Sequence, residues 1–196
     1  MKIFAFTDTH GSRKLMQRIR KMGRQADILV CAGDITVFER NLHAVLRLLN
    51  SIGKPLMLVP GNHESSARLR QACIPYKNIW YMHRKMKKTH GILFIGHGGG
   101  GFSLTNPDFE AFVKEEQGRI AAARRIVLIT HQPPYGSRTD IVGRMHTGSK
   151  SYRDFIRKRH PLLVICGHLH ENFRTHDRMG KSIIVNPGPA GKMLEI

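Results

Sequence analysis

Five apolar runs in this chain end on residues that can hold a metal ion. "KIFAFTDTH" ends in Asp8 and His10, "DILVCAGD" in Asp34, and "LMLVPGNHE" in Asn62 with His63 beside it. "RIVLITHQPP" presents His131, and "LLVICGHLHE" presents His168 and His170. A single histidine or a single Asp-x-His at the end of a run is commonly structural. Five such endings on five separate runs are hard to produce by chance. In Asp8-Thr9-His10 and His168-Leu169-His170 the polar residues stand two apart. An extended backbone continuing past the strand would turn both side chains of each pair to one face. A glycine precedes the ligand types at Gly33, Gly61 and Gly167, as a sharp turn or a close backbone approach requires.

The donor types specify a chemistry. Two carboxylates, four imidazoles and one amide oxygen suit a pair of borderline divalent ions such as Mn, Fe or Zn. An all-oxygen set would suit Mg or Ca instead. Two divalent ions bring a charge of about +4, which Asp8 and Asp34 offset only in part. Such a site stays positive and selects phosphate anions. Ions roughly 3.5–4 Å apart can share a hydroxide, bind phosphoryl oxygens and stabilise an in-line displacement.

The elements that must position these groups alternate between strand and helix. Continuous apolar runs predict strands at Ile3–Thr7, Ile28–Ala32, Leu56–Val59, Ile126–Thr130 and Leu162–Cys166. Shorter runs predict strands at Ile79–Met82, Ile92–Ile95 and Ile183–Val185. Helical spacing predicts Ser12–Gly23, capped by Ser12 and ended by Gly23, and Phe38–Ile52, with Leu42, Val45, Leu46 and Leu49 inward. Further helices are expected at Ser65–Ala72, at Pro107–Ala123 with proline near its start, and at Gly148–Arg159. This alternation predicts an α/β fold with largely parallel strands. Right-handed crossovers then gather the C-terminal strand ends, where ligands bind in open α/β sheets.

Composition bounds the remaining possibilities. The 196 residues fit one domain spanning the chain, and 41% apolar with 23% charged residues is a globular balance. No apolar run approaches the roughly 18 residues of a membrane span. The first apolar run is too short for a signal peptide, so a cytoplasmic protein is expected. Three cysteines without a C-x-x-C pair exclude a disulfide framework, and Cys31 and Cys166 read as core residues. A net charge of +18 points to anionic partners, either phosphate esters or nucleic acid. The basic residues are dispersed, and neither dense segment interleaves aromatics as a base-stacking surface would.

The order D-x-H, G-D, G-N-H-E, H, G-H-x-H resembles the calcineurin-like metallophosphoesterases. "GDIT", "GNHE", "THQPPYG", "HTGS" and "GHLHE" are similar to motifs of its small single-domain prokaryotic members. The resemblance runs from Asp8 to the "VNPGPA" stretch. It implies an α/β/β/α sandwich of two mixed β-sheets flanked by helices. It also implies that Asp8, His10 and His170 hold one metal, that Asn62, His131 and His168 hold the other, and that Asp34 bridges them. Manganese is the foremost metal, with iron, zinc, nickel or cobalt as alternatives. In this family a bridging hydroxide attacks, and the histidine equivalent to His63 contacts the phosphate and protonates the leaving oxygen. Catalysis is thus assigned to His63, Asp34 and Asn62, and phosphodiesters are the expected substrates.

Softer candidates surround this set. The Gly98–Gly101 run could bring N–H groups to a phosphate, although it lacks the Lys-Ser/Thr of a P-loop. His97 and His146 are candidate substrate contacts, as are Arg138 and Arg144. Trp80 and Tyr81 read as core or dimer contacts, and small members of the family often pair. Two other functions remain open: a nuclease tracking nucleic acid with its basic surface, and a scaffold that has lost catalysis. The retained His63 and the complete ligand set argue against the scaffold.

Overall fold

A computed structural model describes residues 1–196. Its strands β1 (Lys2–Phe6), β2 (Ile28–Cys31), β3 (Leu56–Leu58) and β4 (Ile79–Tyr81) run parallel to one another. A second parallel set consists of β6 (Ile92–His97), β7 (Ile126–Thr130), β10 (Leu163–Ile165) and β12 (Ser182–Val185). Antiparallel edge strands finish both sheets: β13 (Lys192–Glu195) beside β1, β5 (Lys85–Thr89) beside β6, and β11 (His176–Met179) beside β12. The sheet orders are therefore β13-β1-β2-β3-β4 and β11-β12-β10-β7-β6-β5. A small hairpin, β8 (Ile141–Val142) with β9 (Met145–His146), stands apart.

The two-residue period of a strand explains the layering. In β1, Ile3 and Ala5 point into a core shared with Phe94, Val127, Ile129 and Ile165 of the facing sheet. Phe4 and Phe6, the alternate positions, pack instead on Met16, Ile19 and Leu46. The helices that supply these contacts are α1 (Arg13–Gly23), α2 (Leu42–Asn50) and α3 (Ser66–Cys73). The outer face of the second sheet is covered by α4 (Pro107–Glu115), α5 (Gln117–Ala121) and α6 (Lys150–Arg159) through Phe109, Ile120, Tyr152 and Ile156. Four layers result, α/β/β/α, as the resemblance implied. Both faces of each sheet are buried, which is why the central strands read as unbroken apolar runs.

Several expectations require correction. The second helix begins at Leu42 and not at Phe38, because Phe38, Glu39 and Asn41 take left-handed backbone conformations (φ 46°, 61° and 57°). The Pro107–Ala123 helix is interrupted at Glu116 (φ −100°, ψ 12°), shortly before Gly118, a poor helix former. Ser12 precedes α1 without a capping side-chain bond. Strands β5, β11 and β13 escaped sequence reading because "KMKKT", "HDRM" and "KMLE" carry no apolar run. Charged edge strands of this kind also discourage pairing with other chains. Trp80 and Tyr81 lie half-buried against the cores, and Cys31, Cys73 and Cys166 are free and buried. No helix is long and apolar enough to cross a membrane.

Candidate active site

Strand β1 ends at Phe6, so Asp8 and His10 do not lie on an extended backbone as their spacing suggested. Both take left-handed conformations, with φ of 52° and 47°, and so do Asp34 (52°) and His168 (71°). Non-glycine residues in this region cost about 1–3 kcal/mol each, and such strain concentrates at functional sites. Backbone bonds hold the turns against it. Asp8 N–H donates to the Gly33 carbonyl at 3.0 Å, His10 N–H to that of Asp34 at 3.0 Å, and Gly167 N–H to that of His131 at 2.8 Å.

All three preceding glycines admit close approach, and a Cβ on Gly33 would lie 2.6 Å from Gly61 N. A Cβ on Gly61 would lie 1.9 Å from Asp34 Oδ1, and one on Gly167 would lie 2.0 Å from Thr7 Oγ1 and 2.6 Å from Asp8 Oδ2. Any side chain there displaces a carboxylate. Glu64, the last residue of "GNHE", ties the same turns together. Its buried carboxylate accepts from the N–H groups of Asp34 (3.0 Å), Thr36 (2.9 Å) and Gly61 (3.1 Å), and from the Thr36 hydroxyl (2.7 Å). Burial raises its pKa against these bonds. Sequence reading gave Glu64 no role, although it stands inside a quoted motif.

All seven ligand-type side chains converge. Ligand atoms of Asp8, His10 and His170 lie within 4.8 Å of one another, as do those of Asp8, Asp34 and His131. His10 Nε2 stands 3.2 Å from His170 Nε2, and Asp8 Oδ1 lies 3.6 Å from the latter. Asn62 Oδ1 lies 2.9 Å from both His131 Nε2 and His168 Nδ1. His63 joins them: its backbone N–H donates to Asp34 Oδ1 at 2.9 Å, and its Nε2 stands 4.0 Å from Asp34 Oδ2.

These contacts fit cations. The Nδ1–H of His10 donates to the Thr36 carbonyl at 3.2 Å, and that of His131 to the Ala32 carbonyl at 2.7 Å. With Nδ1 spent on a carbonyl, each ring turns its Nε2 inward, the atom that would bind a cation. For His131 that atom meets the Asn62 carbonyl oxygen, and two acceptors at 2.9 Å attract only through a positive charge between or beside them. Asp8 Oδ2 accepts from Thr7 and from His168 N–H, whereas Asp8 Oδ1 is buried without a partner. An orphaned buried carboxylate oxygen is costly unless a cation neutralises it. Burial, reinforced by His131, lowers the pKa of His168 to about 4, so its ring is neutral near pH 7, as a ligand must be. The His/Asp clusters thus fit a metal site.

The site opens into a cleft of about 310 Å³ lined by Asp34, Asn62, His63, Phe102, Val142, His168, Leu169, His170 and Glu171. Other candidates lie elsewhere. His97 does not face substrate: it is 1% exposed, with Nδ1 bonded to the Tyr152 hydroxyl at 2.8 Å and Nε2 to Asp108 at 2.9 Å. His146 is absent from the cleft lining, and its Nδ1 is engaged by buried Asp140 at 2.6 Å. Arg138 and Arg144 are exposed and do not line the cleft. In the glycine run, Gly98 N–H donates to His83 Nδ1 and Gly99 N–H to the Pro60 carbonyl, so neither is free for a phosphate. What this loop brings to the cleft is Phe102.

Residues 1–172 match the family model described as calcineurin-like phosphoesterase. The chain is 34% identical to the uncharacterized protein MJ1162 of Methanocaldococcus jannaschii, over 96% of this chain and 88% of that one. Among solved structures, TT1561 of Thermus thermophilus matches with a TM-score of 0.78 at 19% identity, covering 96% of this chain and 90% of that one. A dimetal phosphatase from Danio rerio matches with a TM-score of 0.66 at 13% identity, covering 94% and 86%. At those identities the structural matches establish a shared fold.

Proposed function

Because the chain belongs to the calcineurin-like phosphoesterases, a metal-dependent family, we propose that it hydrolyses phosphodiesters in the cleft beside His63. The observation that carries this reading is the convergence of seven ligand-type side chains around the unpartnered Asp8 Oδ1. Asp8, His10 and His170 would hold one divalent ion, Asn62, His131 and His168 a second, and Asp34 both. When bound, such ions supply Lewis-acid polarisation of the phosphoryl group and lower the pKa of water. The relationship to a dimetal phosphatase fold supports the same assignment.

The protein's own groups do the rest. Glu64 holds the "GDIT" and "GNHE" turns in register, so the Asp34 carboxylate and the His63 ring keep their separation. His63 is the one imidazole of the cleft without a ligand assignment, and its side chain is 21% exposed. It is positioned to donate a proton to a departing oxygen, a contribution of typically 10²–10⁴-fold. The preference for diesters rests on charge. No lysine or arginine lines the cleft, and Glu171 adds a negative group. A phosphomonoester carries between one and two charges near pH 7 and gains from cationic side chains that this cleft lacks. A diester carries one.

The test is hydrolysis of bis-p-nitrophenyl phosphate beside p-nitrophenyl phosphate, using metal-stripped protein with Mn²⁺ restored. Mn²⁺-dependent cleavage favouring the diester, and lost in Asp34→Ala and His63→Ala, is the expected result. Faster cleavage of the monoester would overturn the diester preference, and no cleavage of either by folded protein would overturn the phosphoesterase assignment.

A further inference from the structure

Two large aromatic side chains stand in water beside the histidines of the cleft. Phe38 is 74% exposed with its ring centroid 4.5 Å from that of His63. Phe102 is 65% exposed with its ring centroid 4.9 Å from that of His168. A single exposed phenylalanine is ordinary on a protein surface. Two of them, each against a different histidine of one site, form a pattern that folding does not require.

Both are held in place. Phe38 has a left-handed backbone (φ 46°), an outlier for so bulky a residue. The turn that carries it is clamped by Glu39, whose carboxylate accepts from Ser65 N–H at 2.8 Å and pairs with Arg68 at 2.6 Å. Phe102 is anchored on both sides: Gly99 N–H donates to the Pro60 carbonyl at 2.7 Å, and Gln132 Nε2 donates to that of Ser103 at 2.9 Å. Strain is thus accepted at Phe38 to present an aromatic face beside the reacting centre. Phe102, Val142 and Leu169 line the cleft, and Phe38 stands outside that lining against His63.

We propose that Phe102, which lines the cleft, and Phe38, which flanks it against His63, are specificity-determining aromatic faces that stack the planar base of a nucleotide, so that the organic part of the substrate is a nucleoside. The proposal rests on the phosphoesterase reading for its phosphate half alone. An aromatic face accepts every base, because each base has a π-face, so stacking here discriminates base from no base and not one base from another. It adds attraction for the uncharged part of the substrate, which a phosphate site alone does not hold.

The experiment is calorimetric titration of the Mn²⁺-loaded protein with AMP and with ribose 5-phosphate, monoesters of the kind diester cleavage leaves as product, which share the sugar phosphate and differ in the base. The expected result is AMP binding about tenfold or more tightly, as stacking on aromatic faces gives. Phe38→Ala and Phe102→Ala should each shrink that ratio while leaving ribose 5-phosphate affinity unchanged. Both side chains are already mostly in solvent, so truncation should leave the melting temperature in place. Equal affinity for the two ligands, or a ratio untouched by either variant, overturns the proposal. The bis-p-nitrophenyl phosphate assay separates the two readings. Cleavage with equal affinities removes only the base-stacking faces, whereas a base preference without cleavage removes only the phosphoesterase assignment.

Discussion

Two clusters of histidine and aspartate occupy this chain, and they are built in opposite ways. In the cleft, Asp8 Oδ1 has no partner, and the imidazoles of His10 and His131 spend their Nδ1–H on backbone carbonyls, which turns Nε2 inward. Behind the glycine run, His83, His97 and Asp108 also gather within 4.8 Å. There the charge is already met: Arg84 pairs with Asp108 and, at 2.6 Å, with Glu115. Gly98 N–H donates to His83 Nδ1, so the proton of that neutral ring is on Nε2, the atom that faces Asp108. Burial lowers the pKa of His97 to about 4, and burial lowers that of His83 as well. Burial opposes ionisation of Asp108, yet its bonds from His97 and Arg84 prevail and lower its pKa. Residue types alone do not make a metal site. A deficit of positive charge and correctly turned lone pairs do.

The largest expected effect falls on the cleft. Asp34→Ala should reduce Mn²⁺-dependent diester hydrolysis by about 10³-fold or more, because it removes the carboxylate assigned to both ions. Asp108→Ala should leave the rate within a few-fold. Equal losses in the two variants, measured side by side, would break the distinction between the clusters. His63→Ala comes next, with about 10²–10⁴-fold lost from kcat. Its Mn²⁺ affinity by calorimetry should match that of the parent, since His63 is assigned to the proton and not to the metal.

Chelation should act on stability through the first cluster only. Metal at about one hundred times its Kd stabilises the native state by about 2.7 kcal/mol. For a chain of 196 residues this corresponds to a melting-temperature difference of roughly 5–10 °C. The gain should vanish in Asp8→Asn and persist in His97→Gln. A gain that vanished in His97→Gln would make the second cluster a metal site as well.

The smallest effect is an acid response carried by His97. Its pKa falls from 6.5 to about 4 on folding, so between those values the unfolded chain binds the extra proton. Stability contributed by the neutral ring is present above pH 6.5 and is lost as pH falls toward 4. From pH 7 to pH 5 the loss is about 2 kcal/mol. Urea unfolding at those two pH values should show it in the parent and show less of it in His97→Gln.

The candidate ligand residues were legible because their types follow strand ends, and strands declare themselves as apolar runs. The helix expected from Phe38 was not there, because a left-handed turn leaves no trace in hydrophobic spacing. His97 closes a strand much as His131 follows one, yet only its neighbours Tyr152 and Asp108 show that it is sealed. Glu64 sat in plain view inside "GNHE", but its partners Asp34 and Thr36 lie 30 and 28 residues away.

By itself the sequence determined the alternation of strand and helix, the donor types of the site and the glycines that let carboxylates close in. These are local properties: periodicity, side-chain chemistry and the absence of a Cβ. The tertiary structure decided which imidazole nitrogen faces inward, which carboxylate oxygen is left without a partner and which aromatic rings border the cleft. Those depend on groups that meet only after folding, as when the Ala32 carbonyl takes the proton of His131 from 99 residues away.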